Sequence, residues 1–181
     1  MKRVLIATVT AAVVTSLAGP AFAQAPTMSA QNPLTASAKA QFDMIKANVL
    51  KTANKVGPEL YSFKPTPEVR SLGEILGHVA DANFGICAAA AGEKPTQGGF
   101  EKKTAKADIV KGLTDSIAYC DKVIASLSDS TGGAAVPFFG GQMPKLAIVY
   151  FNISHNNEHY GNLVTYMRLK GIVPPSSEPA K

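Results

Sequence analysis

The sequence predicts an all-α protein built as a four-helix bundle. Three observations carry that expectation. Four segments of roughly 20 to 27 residues repeat apolar side chains at steps of three and four, the spacing of one helical face. Glycine, proline or a capping residue bounds them. No segment sustains the period-two alternation of a half-buried strand, so strands are not required.

The first element is not part of the bundle. "MKRVLIATVTAAVVTSLAGPAFAQA" opens on Lys2 and Arg3, runs apolar from Val4 to Ala18 and breaks at Gly19-Pro20. Ala21-Phe22-Ala23 then supplies the small-x-small pattern of a signal-peptidase site, so residues 1–23 are expected to be a signal peptide, cleaved after Ala23. The apolar run is shorter than the ~20 residues that span a bilayer, so no stable membrane span is expected after cleavage. Export places the mature chain in the periplasm or outside the cell. Residues 24–35 are polar and proline-containing and are expected to be a disordered lead-in.

The bundle is expected over residues 36–175. Helix one, from about Ala36 to Val56, buries Phe42, Ile45, Val49, Ala53 and Val56, and stops at Gly57-Pro58. Helix two carries a start signal in Thr66 as N-cap, Pro67 at the first helical position and Glu68 in the first turn. Its stripe runs Leu72, Ile75, Leu76, Val79, Asn83 and Ile86, and it ends near Gly92. Helix three, from about Ala105 to Ser128, shows Ile109, Leu113, Ile117, Cys120, Ile124 and Leu127. "SDSTGGAAVPFFGGQ" is read as a loop. The last helix begins near Pro144 and runs to Lys170, where Gly171 offers a left-handed cap. Residues 176–181 are expected to be a flexible tail.

The formal charge of +5 falls to +3 once Lys2 and Arg3 are removed, and the remaining lysines are scattered among acids. No basic stripe interleaved with aromatics is visible, which argues against a nucleic-acid partner. Cys87 and Cys120 are candidates for a disulfide, which export permits, or for two buried thiols. Their heights along helices two and three differ by about 8 Å if those helices are parallel and by about 15 Å if antiparallel. A parallel pair therefore favours the bridge, and the intervening loop is long enough to make the crossover.

The chemistry lies in the histidines. The chain has three, and two of them, His155 and His159, sit four residues apart in "FNISHNNEHYGNL". That spacing puts both imidazoles on one helical face, about 5–6 Å apart at Cβ. His78 belongs to helix two, some 16 Å along it, while His155 and His159 lie about 17 and 23 Å along the last helix. All three fall near mid-height, so they are expected either to converge on one metal ion or to fill the core as hydrogen-bonded side chains. Imidazole nitrogen suits zinc, nickel, copper or iron rather than magnesium or calcium. Three protein ligands leave a position open, the arrangement of a catalytic metal site.

Glu74 and Asp81 lie about one turn either side of His78, and Asn152 and Asn162 flank the pair, so each is a candidate to orient a ring. Glu158 raises another reading. "HNNEH" matches the H-x-x-E-H pattern of inverted zinc peptidases, in which the glutamate is the general base. Those enzymes take a third, carboxylate ligand from far downstream, where this chain offers only Glu178. No catalytic side chain is assigned beyond the weak candidates Glu158 and Asp81.

"SLGEILGHVADANFGICAAAAGE" and "LAIVYFNISHNNEHYGNLVTYMRLKGIVPPSS" resemble the DinB (DinB/YfiT-like) superfamily, and the likeness spans roughly Ala36 to Ser177. The family's histidine from helix two and its H-x-x-x-H pair from the last helix match His78, His155 and His159. The resemblance implies an up-down-down-up bundle, a divalent metal (zinc or nickel foremost) and frequent homodimers. Characterised relatives include thiol-dependent transferases and isomerases. The function expected is thus a metal-dependent enzyme that activates water or a thiol for hydrolysis or transfer on a small molecule. The alternative is a non-catalytic exported metal-binding or interaction protein.

Overall fold

The computed structural model describes residues 31–179. The expected signal peptide, most of the lead-in and the last two residues of the tail lie outside the described residues.

Four long helices pack around one core: α1 (Pro33–Lys55), α2 (Leu72–Ala91), α3 (Lys106–Ala125) and, after a one-turn α4 (Asp129–Gly132), α5 (Lys145–Leu169). The apolar stripes read from the sequence form that core, with Phe42, Leu76, Ile109, Leu113 and Leu163 fully buried. Polar contacts at the helix ends fix the directions. Lys106, opening α3, reaches the carbonyls of Asn54 and Val56 at the end of α1, so these two are antiparallel. The Tyr150 hydroxyl donates to the Leu34 carbonyl, and Lys55 Nζ to the Val173 carbonyl, which makes α1 and α5 parallel. Lys145 Nζ donates to the Ala91 carbonyl and the Tyr166 hydroxyl to the Arg70 carbonyl, so α2 and α5 are antiparallel. Then α2 and α3 must run the same way, and the Cys87–Cys120 disulfide joins them at a Cα separation of 5.4 Å. Among the described residues, no helix is long and apolar enough to cross a membrane.

Three local features depart from the sequence reading. α1 starts at Pro33, inside the expected lead-in, because its first N–H groups are capped from across the fold. The Asp129 carboxylate accepts the amides of Leu34 and Thr35 at 3.1 and 2.8 Å, and Asn32 Oδ1 accepts the amide of Asp129 in return. α2 starts at Leu72 rather than at Pro67. Ser71 and Glu74 form a complete capping box there, and Thr66 to Val69 is a turn. The loop before α5 contains an antiparallel hairpin, β1 (Ala135–Phe138) and β2 (Gly141–Pro144), paired Phe138 to Gly141. β1 alternates in burial, but its residues are all apolar, so the sequence shows no alternation there. The two turn residues, Phe139 and Gly140, have φ of 47° and 80°, the positive values that a tight two-residue hairpin demands.

The α2–α3 crossover runs back along the bundle and is pressed into it. A Cβ on Gly77 would collide with the Phe100 carbonyl, and one on Gly112 with the Phe100 ring. Only glycine lets the crossover lie this close. After α5, Pro175–Ser177 makes a 3-10 turn in which Ser176 bonds the Tyr160 hydroxyl, fastening the start of the segment expected to be a tail.

Candidate metal centre

α5 places His155 and His159 one turn apart, and α2, antiparallel to it, brings His78 to the same height. His155 Nε2 lies 3.2 Å from His78 Nε2 and 3.1 Å from His159 Nε2. Among the described residues these three side chains are the group able to share an ion. His159 is buried, and His78 and His155 are half-buried.

Hydrogen bonding alone does not satisfy this cluster. His78 Nδ1 lies 3.0 Å from Glu101 Oε2, which fixes its proton on Nδ1 and leaves Nε2 as a lone pair. His155 Nε2 has one proton at most to share between two neighbours. Nδ1 of His155 and of His159 are both buried without a hydrogen-bond partner among the described residues. A tetrahedral ion with nitrogens at ~2.0–2.1 Å would hold them about 3.3–3.4 Å apart, close to the spacing seen. The donor set therefore fits a transition metal. Electrostatics agrees. Burial, then the neighbouring His78, pushes His155 below the usual imidazole range. Burial, then His155 and His78, brings His159 down to about 4. Both rings are thus held neutral, the form that binds metal.

The DinB superfamily matches residues 41–163, a stretch that takes in all three histidines. The chain belongs to the DinB superfamily. Its fold is similar to that of a DinB-like protein from Bacillus cereus ATCC 10987, with a TM-score of 0.67 at 20% identity, covering 76% of this chain and 93% of that one. A DinB-like protein from Bacillus subtilis is similar too, with a TM-score of 0.65 at 19% identity, over 80% and 99% of the two chains. No curated protein matches the chain.

Around the DinB-type histidines, the other candidate residues are placed as follows. Glu74 does not face His78; its carboxylate accepts the Ser71 amide at 2.6 Å and pairs with Lys64 at 3.0 Å. Asp81 acts one step removed. It accepts the amides of Phe100 and Glu101 at 2.9 and 3.1 Å, and so pins the crossover residue that bonds His78. Asn152 points its amide at the disulfide, 3.6 and 3.7 Å from the two sulfurs, rather than at an imidazole. Asn162 lies on the exposed side of α5, at the edge of a polar recess that also contains His159 and Arg70. Glu158 is exposed. The third nitrogen of the cluster comes from upstream His78, and Glu178 pairs with Lys55 instead, so the inverted-peptidase ligand set is not assembled.

Sequence reasoning missed Glu101. Partial burial acts to raise its carboxyl, but hydrogen bonds from Arg70 and His78 outweigh this and hold it below the usual range. Arg70 Nε donates to the other oxygen at 2.7 Å. Its signal in the sequence was faint: an acid after a glycine pair in a loop, with no periodicity to aim it.

His78 and His155 also line part of an apolar cleft of about 460 Å³. The rest of its lining comes from α2, the hairpin and α5.

Proposed function

We propose that the chain is an exported metal-dependent enzyme that acts on a small molecule by hydrolysis or group transfer, with His78, His155 and His159 holding a divalent transition metal, zinc or nickel foremost. The reading rests on one observation: three imidazoles from two helices bring ligand atoms within 4.8 Å of one another, and the two spacings about His155 are near those of a tetrahedral site. Such an ion supplies Lewis acidity, lowering the pKa of water or a thiol and polarising a carbonyl.

The chain's own residues do the rest. Glu101 holds the Nδ1 proton of His78, so that Nε2 faces the centre as a lone pair; Arg70 keeps Glu101 ionised. Asp81 keeps the crossover backbone in place behind it. Burial keeps His155 and His159 neutral. Export rests on the pattern of residues 1–23 and is checked by sequencing the N-terminus of protein recovered from outside the cytoplasm, which should begin at Gln24.

Elemental analysis of protein purified without an affinity tag tests the site. Wild type should carry about one first-row metal per chain, and the variant with His78, His155 and His159 all changed to alanine should carry none. Metal absent from wild type, or retained by the variant, would remove the reading.

A further inference from the structure

The cleft that His78 and His155 help to line has a chemical character of its own. Ala82, Gly85 and Ala89, at steps of three and four on α2, line it too. So do Phe138, Phe139 and Phe151. Among the described residues lining it, none is charged apart from what the two imidazoles carry. The aromatic rings hold one another edge to face: Phe138 and Phe151 have centroids 5.3 Å apart, and Phe139 and Phe151 5.7 Å.

Two features of this cleft work against stability. Phe139 is 82% exposed and sits at φ 47°, where a bulky side chain is strained and asparagine or glycine would be at ease. Gly85 lies inside α2, where alanine would favour the helix, and a Cβ there would meet nothing within 4 Å. A strained phenylalanine adds apolar surface, and a helix-weakening glycine leaves space beside it; both favour a visitor over the fold.

We infer that this cleft binds the uncharged aromatic part of a small-molecule substrate and delivers its polar end to His78 and His155. The volume suits a compact ring-bearing molecule. The apolar lining excludes a charged body, since nothing in it would repay the desolvation. Among its lining side chains, only the two imidazoles offer polar partners. The orientation of the occupant rests on the metal reading; recognition of its ring does not.

The test is a titration of the protein with 2-phenylethanol, followed by amide NMR. Saturable shifts should appear at Gly85, Phe139 and Phe151. Gly85→Leu should abolish them while circular dichroism and melting temperature show α2 intact, because leucine is the better helix former. Phe139→Asn should relieve the backbone strain, raising the melting temperature, yet weaken binding about fivefold through loss of a ring contact. Shifts that do not saturate, or that map away from these residues, overturn the inference. So do shifts at Phe139 and Phe151 that follow protein concentration without the probe, since a second copy then occupies the aromatic face. Metal content measured on the same samples separates the two readings. A seated probe without metal keeps the cleft and removes the metal; metal without a seated probe does the reverse.

Discussion

Glu101 is the hydrogen-bond partner of His78, with 3.0 Å between its Oε2 and the ring Nδ1. The pair joins a loop carboxylate to a helix imidazole, and Arg70 holds the far oxygen. Outer partners of this kind typically change metal affinity 10- to 100-fold. Glu101→Ala should therefore weaken metal binding by roughly 10- to 100-fold, measured by competition with a chelator. Glu101→Gln, which keeps an acceptor but loses the charge, should fall between that variant and wild type.

Metal-free protein should lose stability on mild acidification. His159 is held at about 4 in the fold, against 6.5 for the free side chain. Between those values the unfolded chain binds the proton and the folded chain does not, so stability falls as pH drops through that window. Urea midpoints of the metal-free protein at pH 7 and pH 5 should show the loss. His159→Gln should reduce the difference.

Reducing the Cys87–Cys120 bridge should cost about 2–4 kcal/mol of unfolding free energy. Denaturation with and without a thiol reductant reads this directly. The helical circular dichroism should survive in the absence of denaturant.

Gly77→Ala should cost about 1–3 kcal/mol, since the new methyl must displace the Phe100 backbone. The same variant should weaken metal binding, because Glu101 follows Phe100 in the chain. A variant that is less stable but binds metal as wild type does would break that link.

The stripes were legible because burial repeats with the helix: Phe42, Ile45, Val49 and Ala53 are buried where a 3.6-residue period puts them. So was the histidine pair, whose spacing needs no tertiary information. What escaped depended on distant chain. The cap of α1 comes from Asp129, 94 residues beyond the Thr35 amide that it accepts. Two start signals competed for α2, and Ser71 with Glu74 prevailed because each satisfies the other's backbone. That same cap removed Glu74 from the histidines, although helical spacing put it on the right side. Glu101 was invisible because its aim depends on the path of a non-helical segment. The hairpin hid behind a phenylalanine in a turn position where asparagine is expected.

Because α2 and α3 point the same way, the chain between them cannot be a tight turn; it must travel back up most of the molecule. The return leg is where Glu101 and its anchor Phe100 reside. Asp81 and the close fit of Phe100 on Gly77 and Gly112 fasten that leg, so local contacts rather than connector length set where the carboxylate sits. Residues added between Gly92 and Gly98, an exposed stretch, would bulge into solvent and leave the partner of the imidazole where it is.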